Sequence, residues 1–264
     1  MKKLVFALLI LSSLSKSVFA LDIPLSGGGG ALLGYTFTRY TIEGSQYGFP
    51  ETTVRSTQDM DRFNYGGFLF FDAKYAALSV ILQGGINSYD ERIIQDGGEL
   101  PQSPGEGTGS EMSLGFSLMG KLPFTINERI TWFPMLGVEY QIALIQKRKG
   151  DYVIYEDGDY VQKHGEYDRT DGVTAADLDK NGDPYPLSAW NALWINIGAG
   201  LDYNFTESLF LRSELFFGFR LPTGYEMGSL DMLKDKEGPI MLNDEKPRGL
   251  TGSPSLKIGI GYRF

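Results

Sequence analysis

The clearest pattern along this chain is an alternation of apolar and polar positions with a period of two. In residues 256–264 every second residue is apolar, and the residues between them are glycine or basic. Successive side chains of a β-strand point to opposite faces, so one face of this segment is apolar and the other is small or charged. Segments 193–204 and 209–220 repeat the pattern. Five others follow it less clearly, at roughly 31–40, 62–72, 75–87, 111–121 and 129–146. The sequence therefore predicts about eight strands.

The connections between these segments alternate between short and long. The short ones lie near 72–74, 125–128 and 206–208. The long ones cover about 41–61, 88–110, 147–188 and 221–253. This asymmetry is typical of outer-membrane barrels, and most segments reach the ~10 residues that a tilted strand needs to cross a bilayer. We predict an all-β fold: a transmembrane antiparallel up-and-down β-barrel of about eight strands, with short periplasmic turns and long, solvated and mobile extracellular loops.

Two local features modify this pattern. The glycine run 27–30 obscures where the first strand begins. Pro134 lies inside the fifth segment, and because proline cannot donate a hydrogen bond to a ladder, it predicts a bulge or a local break.

The N-terminus has the features of an export signal. Lys2 and Lys3 precede an apolar run at 4–11, and the small residues Val18 and Ala20 fit a cleavage site. The alternative is a membrane-anchoring helix, but the apolar run is too short to span roughly 30 Å of hydrocarbon. We predict a signal peptide at 1–20 and one barrel domain at 21–264, located in the bacterial outer membrane.

Composition excludes several classes of protein. The net charge is −9, or about −12 once the three lysines of the signal are removed. Without a basic stripe, binding to nucleic acid is not expected. The chain has no cysteine, which excludes disulfides, thiolate chemistry and a lipoprotein anchor. No second long apolar segment follows the signal, so a helical membrane protein is excluded.

Aromatic residues cluster at the ends of the segments. Toward the short turns lie Phe71, Tyr75, Phe124, Trp132, Tyr203, Phe205, Tyr262 and Phe264. Toward the long loops lie Tyr40, Phe63, Tyr65, Tyr89 and Trp190. Two such girdles are expected where amphipathic rings meet the two membrane interfaces, although aromatic residues also favour strands in general.

The terminal segment from Ile258 to Phe264 carries a resemblance. The chain resembles the small outer-membrane barrels, the group that contains the OmpX, OmpA transmembrane-domain and OmpW families. Its long strands and bulky apolar inward residues are most similar to OmpW, whose members are associated with passage of small hydrophobic molecules. The resemblance implies that Tyr262 and Phe264 form part of the signal recognised by the barrel assembly machinery.

An eight-stranded barrel is just wide enough to be filled by its own side chains, so a wide aqueous pore is not expected. Alternation places Glu139, Arg212, Glu214 and Lys257 in the lumen, with Gln83 and Asn196. Confined charges should pair, and we expect Arg212 to pair with Glu214 or Glu139. The group is either a structural plug or a functional element, namely a gate or a ligand contact.

Large apolar side chains share the inward face with these charges. They are Phe68, Phe70, Ile81, Phe133, Met135, Trp194, Phe210 and Phe216. They form either a pocket for a hydrophobic solute or packing that fills the lumen.

The third long loop holds a calcium-like sequence. Asp177, Asp179 and Asn181, followed by Gly182, match the opening of a calcium loop. The closing position is Ser188 in place of glutamate, and Pro184 and Pro186 also depart from the pattern. The alternatives are a Ca²⁺ site and a solvated acidic loop. No other cofactor is expected.

Catalysis is not expected. The single histidine, His164, has no placed nucleophile beside it. We expect a monomer in outer-membrane lipid that acts as a narrow channel or binding barrel for small hydrophobic solutes. The alternative is a structural or surface-interaction protein whose acidic loops contact ions, lipid or host molecules.

Overall fold

The computed structural model describes residues 24–46, 49–95, 98–99, 105–156, 159–168, 191–221 and 242–264. These residues form strands β1 (Leu25–Gln46), β2 (Phe49–Ala73), β3 (Ala76–Gln95), β4 (Gly98–Glu99), β5 (Gly105–Lys121), β6 (Phe124–Asn127), β7 (Ile130–Glu156), β8 (Asp159–Asp168), β9 (Ala192–Asn204), β10 (Leu209–Leu221) and β11 (Leu242–Arg263). Among the residues described, no helix is long and apolar enough to cross a membrane.

Eight of the described strands close into one antiparallel barrel. Each pairs with the next in the order β1, β2, β3, β5, β7, β9, β10, β11, and β11 pairs back onto β1. β4 pairs with β3, whereas β6 and β8 pair with β7. A closed ring satisfies the backbone polar groups of every wall strand, which a sheet in hydrocarbon requires. The predicted eight-stranded barrel is confirmed.

The strands are longer than the alternation predicted. β1 begins at Leu25 and includes the glycine run, and it stays paired with β2 up to Gln46 and Phe49. β7 continues to Glu156, and the following strand, β8, pairs antiparallel with its last ten residues. The long connection 41–61, and the described parts of the other three, therefore contain paired strand residues that the alternation did not reveal. Alternation failed to reveal these extensions because neither face of a hairpin standing in water needs to be apolar.

Pro134 lies where one ladder stops. Its carbonyl accepts a hydrogen bond from the backbone N–H of Leu122 at 3.2 Å, just beyond the end of β5. The missing donor of Pro134 thus faces the side on which β5 has ended. On the other side, Pro134 stays in register with Ala199 of β9. The local break that proline predicts is present.

A β-bulge changes the alternation within β7. Met112 of β5 lies opposite Ile145, but the next residue, Ser113, lies opposite Ala143, so Leu144 is the extra residue. Below the bulge, odd-numbered residues of β7 such as Glu139 are buried. Beyond the bulge, toward Glu156, the buried residues are the even-numbered Gln146 and Gly150.

The outer surface carries an apolar band that ends in charged pairs. Outward residues in the middle of the strands include Leu69, which is 67% exposed, and Leu215, which is 62% exposed. Beyond the band, Arg39 donates two hydrogen bonds to the carboxylate of Asp61, at 2.8 and 2.9 Å. Burial raises the pKa of Asp61, but hydrogen bonds from Tyr35 and Arg39 outweigh it and lower the pKa below its ordinary value.

Aromatic residues border this band at both ends, with two corrections on the long-hairpin side. Phe63 and Tyr65 face outward as expected, joined by Tyr35 and Tyr140. Tyr89 is buried and faces inward, since it shares the parity of Ile81. Tyr40 likewise has the parity of the buried Thr38. Trp190 lies outside the described residues.

We expect a charge to be tolerated on the outer face only near the band's edge. Leu215→Arg should destabilise the refolded barrel by about 2–4 kcal/mol, because Leu215 lies in the middle of β10. Leu211→Arg is the matched control on the same face. It lies close to the short turn, where the cost falls to about 0–1 kcal/mol. Urea titration in lipid vesicles measures both values, and equal losses would contradict the assigned membrane position.

Candidate functional site

The half of the lumen next to the short turns is crossed by an ion-pair network. Arg212 of β10 is only 1% exposed. Its Nε and Nη2 donate to the two carboxylate oxygens of Asp202 on β9, at 2.7 and 2.8 Å. Nη2 also donates to Oδ2 of Asp72 on β2, at 2.6 Å. Lys121 of β5 donates to the same oxygen of Asp72. These four side chains, which we call the ionic plug, join four wall strands across the lumen.

Aromatic rings fill the space around the ionic plug. The guanidinium carbon of Arg212 lies 4.6 Å from the ring centre of Phe70, 5.1 Å from Phe133 and 5.2 Å from Phe210. The ammonium of Lys121 lies 4.8 Å from the ring centre of Phe133. Cations at such distances are attracted to the ring faces. The inward rings at this level therefore pack against the ionic plug.

A second charged layer lies above the ionic plug. Glu214 and Lys257 are directly opposite each other on β10 and β11, and both are buried. The ammonium of Lys257 lies 4.9 Å from the ring centre of Phe216 and 5.9 Å from that of Phe68. With three acidic and three basic groups, the two layers together are formally neutral.

The partners of Arg212 differ from those expected. Glu214 makes only a longer contact with Arg212, at 3.9 Å. Glu139 accepts hydrogen bonds from Gln141 at 2.7 Å and Asn196 at 3.3 Å. Asp202 displaces both because it lies directly opposite Arg212 in the β9–β10 register, where its carboxylate accepts from both Nε and Nη2 on one edge of the guanidinium.

The outer half of the lumen is polar and less tightly filled. Arg62 of β2 forms an ion pair with Glu111 of β5 and donates to Oγ1 of Thr36 at 3.3 Å. Asn87 donates to the other carboxylate oxygen of Glu111 at 3.0 Å. Beside these groups lie small cavities, both of them lined by Arg62, Gln141 and Trp194.

The structure places all four predicted lumen residues, Glu139, Arg212, Glu214 and Lys257, inside the barrel. Asp72 and Lys121 were not predicted as lumen residues. Both lie at strand ends beside short turns, where charged residues are normally solvated, although Asp72 shares the parity of Phe68 and Phe70. The candidate calcium ligands Asp177, Asp179 and Asn181 lie outside the described residues. In the part of the chain that is described, no group of three or more metal-binding side chains occurs.

Tyr262 and Phe264 lie on the outer face at the short-turn end. Phe264 is 77% exposed, and its ring centre lies 5.9 Å from that of Tyr262. Its backbone N–H donates to the carbonyl of Leu25 at 3.0 Å, so the closing ladder runs to the last residue. The ring therefore contributes little to packing, which leaves it available for recognition.

We expect Phe264→Ser to lower the folded fraction in the outer membrane several-fold, because the exposed ring is proposed to be recognised during assembly. Phe205→Ser is the matched control, since Phe205 is 56% exposed at the same end but is not terminal. Heat-modifiable gel mobility separates folded from unfolded protein. Equal losses in the two variants would show that Phe264 acts only through its apolar surface.

These features define the class of protein. A closed antiparallel barrel with an apolar outer band, aromatic borders and a neutral polar interior is an integral β-barrel of the bacterial outer membrane. It has the architecture of the small barrels that the terminal segment resembles.

Comparison with known proteins does not assign the chain to a family. No protein-family model matches the sequence, and no curated protein matches it. Among solved structures, the chain is similar to the outer membrane protein OprG of Pseudomonas aeruginosa, with a TM-score of 0.42, 9% identity, and 92% of this chain and 96% of OprG covered. It is also similar to Ail of Yersinia pestis, the attachment invasion locus protein, solved with the heparin analogue sucrose octasulfate. There the TM-score is 0.31, with 13% identity and 90% and 99% of the two chains covered. At these values the likenesses carry no functional argument.

Proposed function

We propose that this protein is a closed outer-membrane barrel that acts at the cell surface through its extended extracellular hairpins. The observation that carries this proposal is the ionic plug. Arg212 is held by carboxylates from two strands and surrounded by three rings, and we infer from this packing that the plug closes the lumen at its level. The barrel then serves as a membrane anchor and as a support for the hairpins.

The hairpins are paired strands with an excess of acidic residues in their sequence. Backbone pairing continues to Gln46 in β1 and to Glu156 in β7, beyond the apolar band. From Arg39 outward, the hairpin sequence within the described ranges contains 15 acidic and nine basic residues. Such an excess attracts cationic groups over about one Debye length. We therefore propose basic peptide segments as the partners of this surface.

A narrow channel is the second candidate, and the cavities in the outer half of the lumen favour it. Passage would require the plug to rearrange. The lining combines charged and polar residues such as Arg62, Glu111 and Gln146 with apolar ones such as Met112 and Ile145. A hydrophobic solute therefore stays a prediction of the sequence. The channel function and the surface-binding function can therefore be tested by separate measurements.

Two measurements on the refolded mature chain distinguish these functions. In planar bilayers we expect no discrete conductance steps, and regular steps would overturn the closed-barrel proposal in favour of the channel. In nanodiscs of uncharged lipid, we expect oligolysine to bind, to dissociate as salt is raised, and not to bind empty discs. Oligoglutamate is the matched control. Equal binding of the two peptides would contradict an electrostatic surface.

We expect trypsin to cut intact cells within 147–188 and to spare Lys74 and Arg129. The reason is that Lys74 and Arg129 lie in tight turns on the periplasmic side. Permeabilising the outer membrane should expose both turns to the protease. Cleavage at Lys74 in intact cells would reverse the proposed orientation.

We also propose a monomer without catalytic activity or a bound cofactor. His164 lies on β8 opposite Asp151 of β7, beyond the barrel, and its side chain is exposed. A Ca²⁺ site at Asp177, Asp179 and Asn181 remains a sequence-based prediction. Calorimetric titration of the refolded chain with Ca²⁺, compared with the Asp177→Asn/Asp179→Asn variant, tests it.

A further inference from the structure

The outer half of the lumen contains space for a very small molecule. Two adjoining cavities share Arg62, Gln141 and Trp194 in their linings. The centres of water-sized molecules can occupy about 40 Å³ in one and about 30 Å³ in the other. Because a single water requires about 10–15 Å³ by this measure, the two together hold roughly five water-sized groups.

Buried polar atoms on these walls lack partners. Trp194 is 3% exposed and Gln146 is 4% exposed. Nε1 of Trp194, a donor, and Oε1 of Gln146, an acceptor, make no hydrogen bond within the described residues. Nε of Arg62 is a second donor in this position. A buried donor or acceptor that is unsatisfied is unfavourable, so a molecule that satisfies these atoms is stabilised there.

The charge of the lining is balanced. Two arginines, Arg62 and Arg220, line the cavities together with Glu111 and Glu139. An ion entering this space would lose its hydration without gaining a net counter-charge. An apolar molecule would leave the indole N–H and the amide oxygen unsatisfied. The lining therefore selects against both ions and hydrocarbons.

We infer that the outer lumen binds a small uncharged solute of roughly four to six non-hydrogen atoms that both donates and accepts hydrogen bonds, such as a simple amide or a short polyol. Nε1 of Trp194 and Nε of Arg62 donate to the oxygen of this solute, and Oε1 of Gln146 accepts from its N–H or O–H. Access is from the extracellular side, because the ionic plug closes the other end. This site is independent of the acidic hairpin surface.

Acetamide tests the inference, because acetate and isobutene are its charged and apolar counterparts of nearly equal shape. The refolded mature chain in nanodiscs is titrated with each, and the indole N–H resonance of Trp194 is followed by NMR. The resonance is identified by its loss in Trp194→Phe. We expect a saturable shift with acetamide in about the millimolar range, as its few atoms allow. We expect none with the other two. Trp132, on the outer face, is the internal control.

Single substitutions then remove one hydrogen-bonding group of the cavity lining at a time. Gln146→Leu should weaken acetamide binding about ten-fold on the Trp194 signal, which corresponds to one lost hydrogen bond. Trp194→Phe should weaken it similarly when read from the methyl group of Met112, which also lines the cavity. Heat-modifiable mobility verifies folding. A shift that fails to saturate, equal binding of isobutene or acetate, or unchanged affinity in both variants would overturn the inference.

Discussion

Replacing Arg212 with methionine is expected to destabilise the barrel by about 3–5 kcal/mol, the range for removing one partner of a buried ion pair. The side chain is 1% exposed and donates three hydrogen bonds to Asp202 and Asp72. Its loss leaves Asp202 as a buried carboxylate without a counter-ion, whereas Asp72 keeps Lys121. Urea titration of the refolded protein in lipid vesicles measures the difference.

The double variant Arg212→Met/Asp202→Asn is the control that separates charge from packing. Neutralising Asp202 removes the orphaned charge, so the double variant should recover about half of the lost stability. Asp72 and Lys121 remain paired in both variants. If the double variant is as unstable as Arg212→Met alone, the contacts of Arg212 with the aromatic rings, and not its ion pair with Asp202, account for the loss.

Replacing Gly30 with alanine is expected to prevent the barrel from closing. A Cβ atom at Gly30 would lie 2.0 Å from the carbonyl oxygen of Ile258 and 2.4 Å from Cα of Gly259, both in the backbone of β11. Backbone atoms in a ladder cannot move aside as a flexible side chain does. The loss of folding free energy should be about 3 kcal/mol or more, which is the upper end of the range for overpacked cores. Heat-modifiable mobility should show little folded protein.

Gly120→Ala is the matched control for Gly30→Ala. Both glycines lie in wall strands, but a Cβ atom at Gly120 would lie no closer than 3.6 Å to the carbonyl oxygen of Leu136. This variant should fold like the wild type. Normal folding of Gly30→Ala would mean that β1 and β11 are more widely separated at this seam.

Alternation in the sequence predicted the barrel and many of the side chains that point into it. Arg212, Glu214 and Lys257 were assigned to the lumen because they lie on the face opposite the apolar residues of their segments, and all three are buried. The aromatic girdle toward the long loops shows that a residue's place at the end of a segment does not by itself predict which face it lies on. Tyr89 was assigned to it because it lies at a segment end, although its parity with Ile81 already pointed inward.

The pairing within the lumen was not predictable in the same way. Arg212 and Asp72 are 140 residues apart and meet only because the ring closes with a particular stagger between strands. Asp72 shares the inward parity of Phe70, but its place before a short turn, where charged residues are normally solvated, hid its burial. The hairpin extensions were missed for a different reason: alternation reports a difference between two environments, and beyond the membrane both faces meet water.

The extra residue at Leu144 divides β7 into two lengths that are out of phase. A deletion of this one residue would leave the membrane-embedded length of the strand unchanged and rotate the outer length by half a turn. Gln146 would then face outward and its neighbours inward, so the outer cavity would lose its buried acceptor. An insertion or deletion in this strand therefore does more than change its length. Adding or removing one residue exchanges the side chains that face the lumen with those that face outward in the part of β7 beyond the bulge.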